Sequence, residues 1–187
     1  SEMAKSKQRY QNLLYSIFPP GIVEELSSTS QVKARSHDDV AVLFADVSNF
    51  TSYCNVHTPE EVLDNLQELI QMMETLAMRY NVDKIKTIGD AFLATSGMLQ
   101  QRENPVLDCV KCGLEMINQS RTLPAEWGLS IGISYGSVVS GIVGHRQYLF
   151  DVWGDTVNTA ARIQDKAGTD MLYIGKYAYE KVKDFVE

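Results

Sequence analysis

The stretch that most restricts the fold runs over residues 40–51, V-A-V-L-F-A-D-V-S-N-F-T. An unbroken apolar run with polar turn residues behind it predicts a buried strand that delivers Asp46 to its end. A carboxylate at the mouth of a buried strand is costly unless something positive holds it. A second strand-like run ends in T-I-G-D, residues 87–90, and sets Asp90 beside a glycine that permits a tight turn. Two acids brought together across a sheet form an oxygen-ligand set of the kind divalent cations take.

The remaining elements follow from periodicity and punctuation. Residues 4–18 carry Tyr10, Leu13, Leu14, Ile17 and Phe18 on one helical stripe, which Pro19 and Pro20 stop. Residues 22–26 form a further helical turn, and residues 27–39 read as a polar loop. Thr58-Pro59-Glu60-Glu61 supplies an N-cap, a first-turn proline and acids, opening a helix to about Tyr80. Residues 82–88 and 91–98 make a hairpin about Gly89-Asp90. A helix starts at Asn104-Pro105 and runs to Asn118. Residues 129–135 are a strand that Gly136 turns, 138–143 continue it, and 148–153 are another. Helix 156–166 ends at Gly168, followed by strand 171–174 and helix 176–182. This order predicts an α+β fold, a sheet with helices on one face.

Composition excludes several classes. The 187 residues suffice for one domain with its own core. A net charge of −7 argues against a general nucleic-acid binder. No apolar run approaches the roughly 20 residues of a membrane helix, and no leader pattern opens the chain. The three cysteines form no even framework, which favours a reducing compartment. Cys109 and Cys112 lack a second pair to complete a zinc site and read as two thiols on one helix face.

Four segments then resemble the catalytic domain of class III nucleotidyl cyclases, the adenylyl and guanylyl cyclases. They are F-A-D-V-S-N-F-T, K-I-K-T-I-G-D-A-F, G-I-S-Y-G-S-V-V-S-G-I-V-G and D-V-W-G-D-T-V-N-T-A-A-R, in family order up to Arg162. The pattern is most similar to fungal rhodopsin-guanylyl cyclases. The segment L-L-Y-S-I-F-P-P-G-I-V-E-E-L resembles the piece that joins such domains to an upstream coiled coil or sensor. The resemblance implies a ferredoxin-like mixed or antiparallel sheet with helices packed on it, at residues 36–187, behind a linker at 1–35. It also implies a head-to-tail homodimer with active sites at the interface, in a cytoplasmic domain of a larger membrane-bound receptor.

The resemblance assigns roles residue by residue. Asp46, Val47 and Asp90 match the metal set for two divalent cations, Mg²⁺ or Mn²⁺. Ser48, Asn49, Phe50 and Thr51 match the phosphate-binding turn; many relatives have glycine where this chain has Asn49. Arg146 resembles an arginine aimed at the triphosphate. Asn158 matches the ribose-positioning asparagine and Arg162 the transition-state arginine. Lys86 and Asp151 match the base readers, with the lysine and aspartate of adenylyl cyclases rather than the glutamate and small residue of guanylyl ones. Adenine offers an amino donor and a ring-nitrogen acceptor, which suit Asp151 and Lys86. The implied reaction is ATP to cyclic AMP and pyrophosphate.

The surrounding frame looks guanylyl-like. Natural divergence and an engineered pair of substitutions both fit, and so does a guanylyl cyclase acting on GTP. A non-catalytic nucleotide-binding regulatory domain is a further reading. A polymerase or diguanylate cyclase is disfavoured, because no G-G-D/E-E-F turn is present and N-x-x-x-R is. Relatives also carry a later phosphate-contacting lysine, so ending at Glu187 reads as a shortened domain.

Overall fold

The apolar run at residues 40–45 forms the middle of a longer strand, β1 (Arg35–Val47), which pairs antiparallel on both sides. Its neighbours are β3 (Ala91–Ser96) and β4 (Leu129–Val143); β2 (Asp83–Ile88) and β5 (Leu149–Trp153) lie outside them. The order is β2-β3-β1-β4-β5, and β6 (Met171–Ile174) joins the other half of β4 in parallel. The chain is seen in a computed structural model that describes residues 1–187.

Both faces of β1 are buried, which is why its sequence is continuously apolar rather than alternating. Ala41, Leu43, Ala45 and Val47 enter one cluster with α4 (Pro59–Arg79), α5 (Pro105–Ser120) and α7 (Lys176–Val182). Val40 and Val42 enter a second with Ile22 and Val23 of α2 (Pro20–Thr29) and Ala160 of α6 (Asp155–Lys166). Helices therefore cover both faces, where the sequence pattern predicts one. An amphipathic helix declares that it has an apolar stripe, not which side of the sheet will cover it.

Other expectations are corrected locally. Residues 27–39 are not a loop. Helix α2 runs on to Thr29, with the Ser28 and Thr29 hydroxyls donating to carbonyls of the preceding turn, and left-handed Ser30 closes it. From Arg35 the polar residues already pair with β4, whose other edge carries β5, and the β1 register shifts between His37 and Val40. Gly136 does not turn β4, which continues through it to Val143. A Cβ there would lie 2.6 Å from Thr156 Oγ1, so this glycine admits the start of α6 instead. That helix ends at Lys166 with Ala167 extended rather than through a left-handed Gly168. The helix at Thr58 forms as its sequence predicts, with a reciprocal capping box between Thr58 and Glu61. Helix α1 (Glu2–Ile17) buries no residue, and no helix is long and apolar enough to cross a membrane.

Candidate active site

The end of β1 and the β2–β3 turn meet at one corner of the sheet. Gly89 takes a left-handed conformation (φ 59°) and turns the hairpin so that Asp90 faces Asp46. The two carboxyls are close enough to share a hydrogen bond when one holds a proton. Burial first, and then Asp90, push the Asp46 carboxyl up to about 7; the Val47 N–H, donating to Oδ1 at 3.0 Å, opposes this. A half-buried, mutually repelling carboxylate pair is a donor set that hard divalent cations relieve. No cluster of three or more His, Cys, Asp or Glu forms. Backbone carbonyl, phosphate and water oxygens would complete the coordination of such an ion.

The next residues turn sharply. Ser48 N–H donates to the Gly128 carbonyl at 2.9 Å, and its hydroxyl lies 3.3 Å from that of Ser130. Asn49 adopts the left-handed conformation (φ 59°, ψ 30°) and leads into the seven-residue helix α3 (Phe50–Val56). Asparagine is among the few non-glycine residues that tolerate this region, so the turn survives the departure from glycine.

Lys86 and Asp151 lie on strands at opposite ends of the sheet order, yet Lys86 Nζ donates to Asp151 Oδ2 at 2.7 Å. The sheet therefore curls until its edges approach. Asp151 is 7% exposed, and its other oxygen accepts from the Val152 N–H at 2.8 Å. Both carboxylate oxygens are occupied, which fixes the pair rigidly.

Helix α6 sits on β4 because Gly132 leaves it room. A Cβ at Gly132 would come 2.4 Å from the Gln164 nitrogen and 2.5 Å from the Ala160 carbonyl oxygen. Asn158 and Arg162 are exposed, one turn apart. Arg162 Nη2 donates to Thr159 Oγ1 at 3.1 Å and to Asp155 Oδ1 at 3.5 Å, both on its own helix. Arg146 is exposed in the turn between β4 and β5. Within one chain, then, Asp46 meets Asp90 and Lys86 meets Asp151, while Asn158 and Arg162 stand apart with their polar ends outward. A groove of about 610 Å³ flanks α6 and the start of α7, with Asp155 and Thr159 on its wall. None of Asp46, Asp90, Lys86 or Asp151 lines it. The contacts of Gly132 and Trp127 join distant segments, which single-sequence spacing does not reveal; Thr159 lies one turn before Arg162 on the same helix.

The family described as the adenylate and guanylate cyclase catalytic domain matches residues 32–186. The chain belongs to this family. As a cyclase-family domain it has relatives of both kinds. It is 31% identical to the germination-specific adenylate cyclase of Dictyostelium discoideum, with 98% of this chain and 22% of that protein aligned. It is 30% identical to an adenylate cyclase of Mycobacterium tuberculosis (97% of this chain, 42% of that protein). It is 29% identical to a receptor-type guanylate cyclase of Caenorhabditis elegans (96% of this chain, 14% of that protein). The chain thus spans well under half the length of these relatives.

Similar solved structures include the catalytic core of a rhodopsin-guanylyl cyclase with converted specificity in complex with ATPalphaS. The two are 29% identical with a TM-score of 0.79, over 83% of this chain and 87% of that one. The guanylate cyclase domain of RhGC from Catenaria anguillulae in complex with GTP is 27% identical with a TM-score of 0.77 (80% and 84% covered). The cyclase domain is accordingly a nucleotidyl cyclase catalytic unit, adenylyl or guanylyl, of α+β fold.

Proposed function

We propose that this domain converts ATP to 3′,5′-cyclic AMP and pyrophosphate. The observation that carries the reading is the Lys86–Asp151 pair, locked at 2.7 Å and largely buried. Asp151 accepts from the adenine amino group, and Lys86 donates to a ring nitrogen. Guanine would set its O6 acceptor against a carboxylate, and unpaired or opposed polar groups in a buried site are strongly rejected. The core with converted specificity bound to ATPalphaS supports the idea that a guanylyl-like frame can hold adenine. The rival reading, GTP to cyclic GMP, draws on the Catenaria anguillulae domain bound to GTP and the relatives named guanylate cyclase.

In the reaction the ribose 3′-oxygen bonds to the α-phosphorus as the bond from that phosphorus to its bridging oxygen breaks. Pyrophosphate leaves with the electron pair, and the hydroxyl proton passes to solvent. Two Mg²⁺ or Mn²⁺ ions, when bound, would lower the pKa of the attacking hydroxyl and neutralise the phosphates. Asp46 and Asp90 would hold them, with Val47 beside. Asn49, Phe50 and Thr51 present backbone N–H groups to the phosphates; the Ser48 N–H is held by the Gly128 carbonyl, which leaves its hydroxyl for that role, and Arg146 approaches the triphosphate. Asn158 orients the ribose, and Arg162 meets the charge that builds at the α-phosphate.

Two subunits share each site, Asp46 and Asp90 from one and Lys86, Asp151, Asn158 and Arg162 from the other. The outward, self-paired state of Arg162 supports this division. One chain carries both sets, so a homodimer holds two equivalent sites. Residues 1–35 connect the catalytic unit to an upstream sensor in a larger receptor whose cyclase domain faces the cytoplasm. The base assignment is tested by Lys86→Glu with Asp151→Cys, which should move preference from ATP to GTP; an unchanged ATP:GTP ratio would remove these two residues as readers.

A further inference from the structure

The turn that follows Asp46 leans on one buried indole. Trp127, 3% exposed, lies in the connection between α5 and β4. Its ring meets Phe50 (centroids 5.9 Å, planes at 41°) and Tyr53 (4.4 Å, 56°), both on α3. Its Nε1–H donates to the Asn65 carbonyl on α4 at 3.3 Å, and the Asn65 amide in turn donates to the Tyr53 hydroxyl. The next residue, Gly128, takes the Ser48 N–H on its carbonyl at 2.9 Å.

Helix α3 has little else to fix it. It is seven residues long, buries no residue completely and has no side-chain N-cap bond. A helix of that length has no stability of its own and takes its place from its contacts. The rings of Phe50 and Tyr53 and the Ser48 N–H converge on the Trp127-Gly128 segment, and Asn65 ties both that segment and the Tyr53 hydroxyl to the long helix α4. Edge-on and tilted aromatic contacts of this kind add about 0.5–1.5 kcal/mol beyond burial and restrict orientation.

We propose that Trp127 is a positioning residue for the metal- and phosphate-binding turn. It sets the distance between Asp46 and the Ser48–Phe50 backbone through Phe50, Tyr53 and the Ser48–Gly128 hydrogen bond. The inference rests on the cyclase reading of that turn. It predicts that loosening the indole weakens capture of the metal–nucleotide complex and leaves base choice alone, because Lys86 and Asp151 belong to a different part of the sheet.

The test uses the full chain, with Mn²⁺-ATP as substrate, at a protein concentration where specific activity no longer rises with concentration. Trp127→Leu removes the ring and the N–H. Its KM for Mn²⁺-ATP should rise about tenfold, the scale expected of a sub-ångström misplacement, with the ATP:GTP ratio unchanged. Trp127→Phe keeps an aromatic face against Phe50 and Tyr53 and should return KM to within about twofold of the parent. Val182→Ala opens the same core cluster far from the turn, at α7; it should lower thermal stability without moving KM.

A KM for Trp127→Leu equal to the parent's, whatever its melting temperature, overturns the inference. So does a KM for Trp127→Phe as high as that of Trp127→Leu, or an equal rise in Val182→Ala. A parent that makes no cyclic nucleotide overturns the cyclase reading itself, and this inference with it. An active parent with an indifferent Trp127 overturns the inference alone.

Discussion

Gly132→Ala tests whether the placement of α6 governs turnover. The added Cβ would lie 2.4 Å from the Gln164 nitrogen, 2.5 Å from the Ala160 carbonyl oxygen and 2.9 Å from Gln164 Cα. All three are backbone atoms, so no side chain can swing aside. Ordinary contact begins near 3.4 Å, so the helix must withdraw by about 1 Å, and overpacking of this kind costs about 1–3 kcal/mol. Against a typical stability of about 5–15 kcal/mol the protein stays folded. Asn158 and Arg162 ride on that helix, and a misplacement of about 1 Å can cost on the order of 100-fold in rate.

The assay is cyclic nucleotide formation at saturating Mn²⁺ and nucleotide, beside a thermal melt. Turnover should fall by about two orders of magnitude, while the melt falls by only a few degrees for each kcal/mol lost. Arg162→Ala added to Gly132→Ala should cost much less than it does alone, since both act through one group. Full turnover in Gly132→Ala would refute the reasoning, as would a rate loss no larger than the unfolded fraction.

Three further outcomes follow from the geometry. Asp83 is pushed up to about 6 by burial, and its Oδ2 is buried without a hydrogen-bond partner. A carboxyl raised in the folded state favours the fold when protonated, so that contribution is full below the ordinary value of 3.8 and is lost as pH rises through about 6. Asp83→Asn should therefore stabilise the protein at pH 8 by about 1–2 kcal/mol, allowing for the part of the side chain still in water, and give no gain at pH 4; equal gains at both pH values in urea melts would contradict this. The Asp46 carboxyl must lose its proton to take a cation, and it sits near 7. Mn²⁺ affinity should rise about tenfold between pH 6 and pH 8, and a flat titration would remove Asp46 from the metal set. Finally, an Asp46→Ala subunit mixed with an Arg162→Ala subunit should recover partial activity, and silence from mixed dimers shown to form would exclude a shared site.

Much of this arrangement is legible in the chain, and the limits have physical causes. The corner made by Asp46 and Asp90 follows from an apolar run, a glycine turn and two acids, all local signals. Helix α4 announces itself through Thr58, Pro59 and Glu61. The sequence does not say that α2 and α6 cover one face of β1 while α4, α5 and α7 cover the other. That choice depends on pairing across the whole sheet. The start of β1 at residues 35–39 is polar and largely exposed, and polar strands look like loops. Lys86 and Asp151 could be named as partners of one base, but their 2.7 Å contact depends on how far the sheet curls. Gly136 reads as a turn and is instead a clearance for Thr156, a contact made 20 residues along the chain.

The most direct test of the central claim is product formation by the purified domain supplied with ATP or GTP, each in Mg²⁺ and in Mn²⁺. Cyclic AMP from ATP with little cyclic GMP from GTP is the predicted result. Cyclic GMP as the main product would contradict the reading of Lys86 and Asp151, and no cyclic product from either nucleotide, with dimers present, would contradict catalysis by this domain.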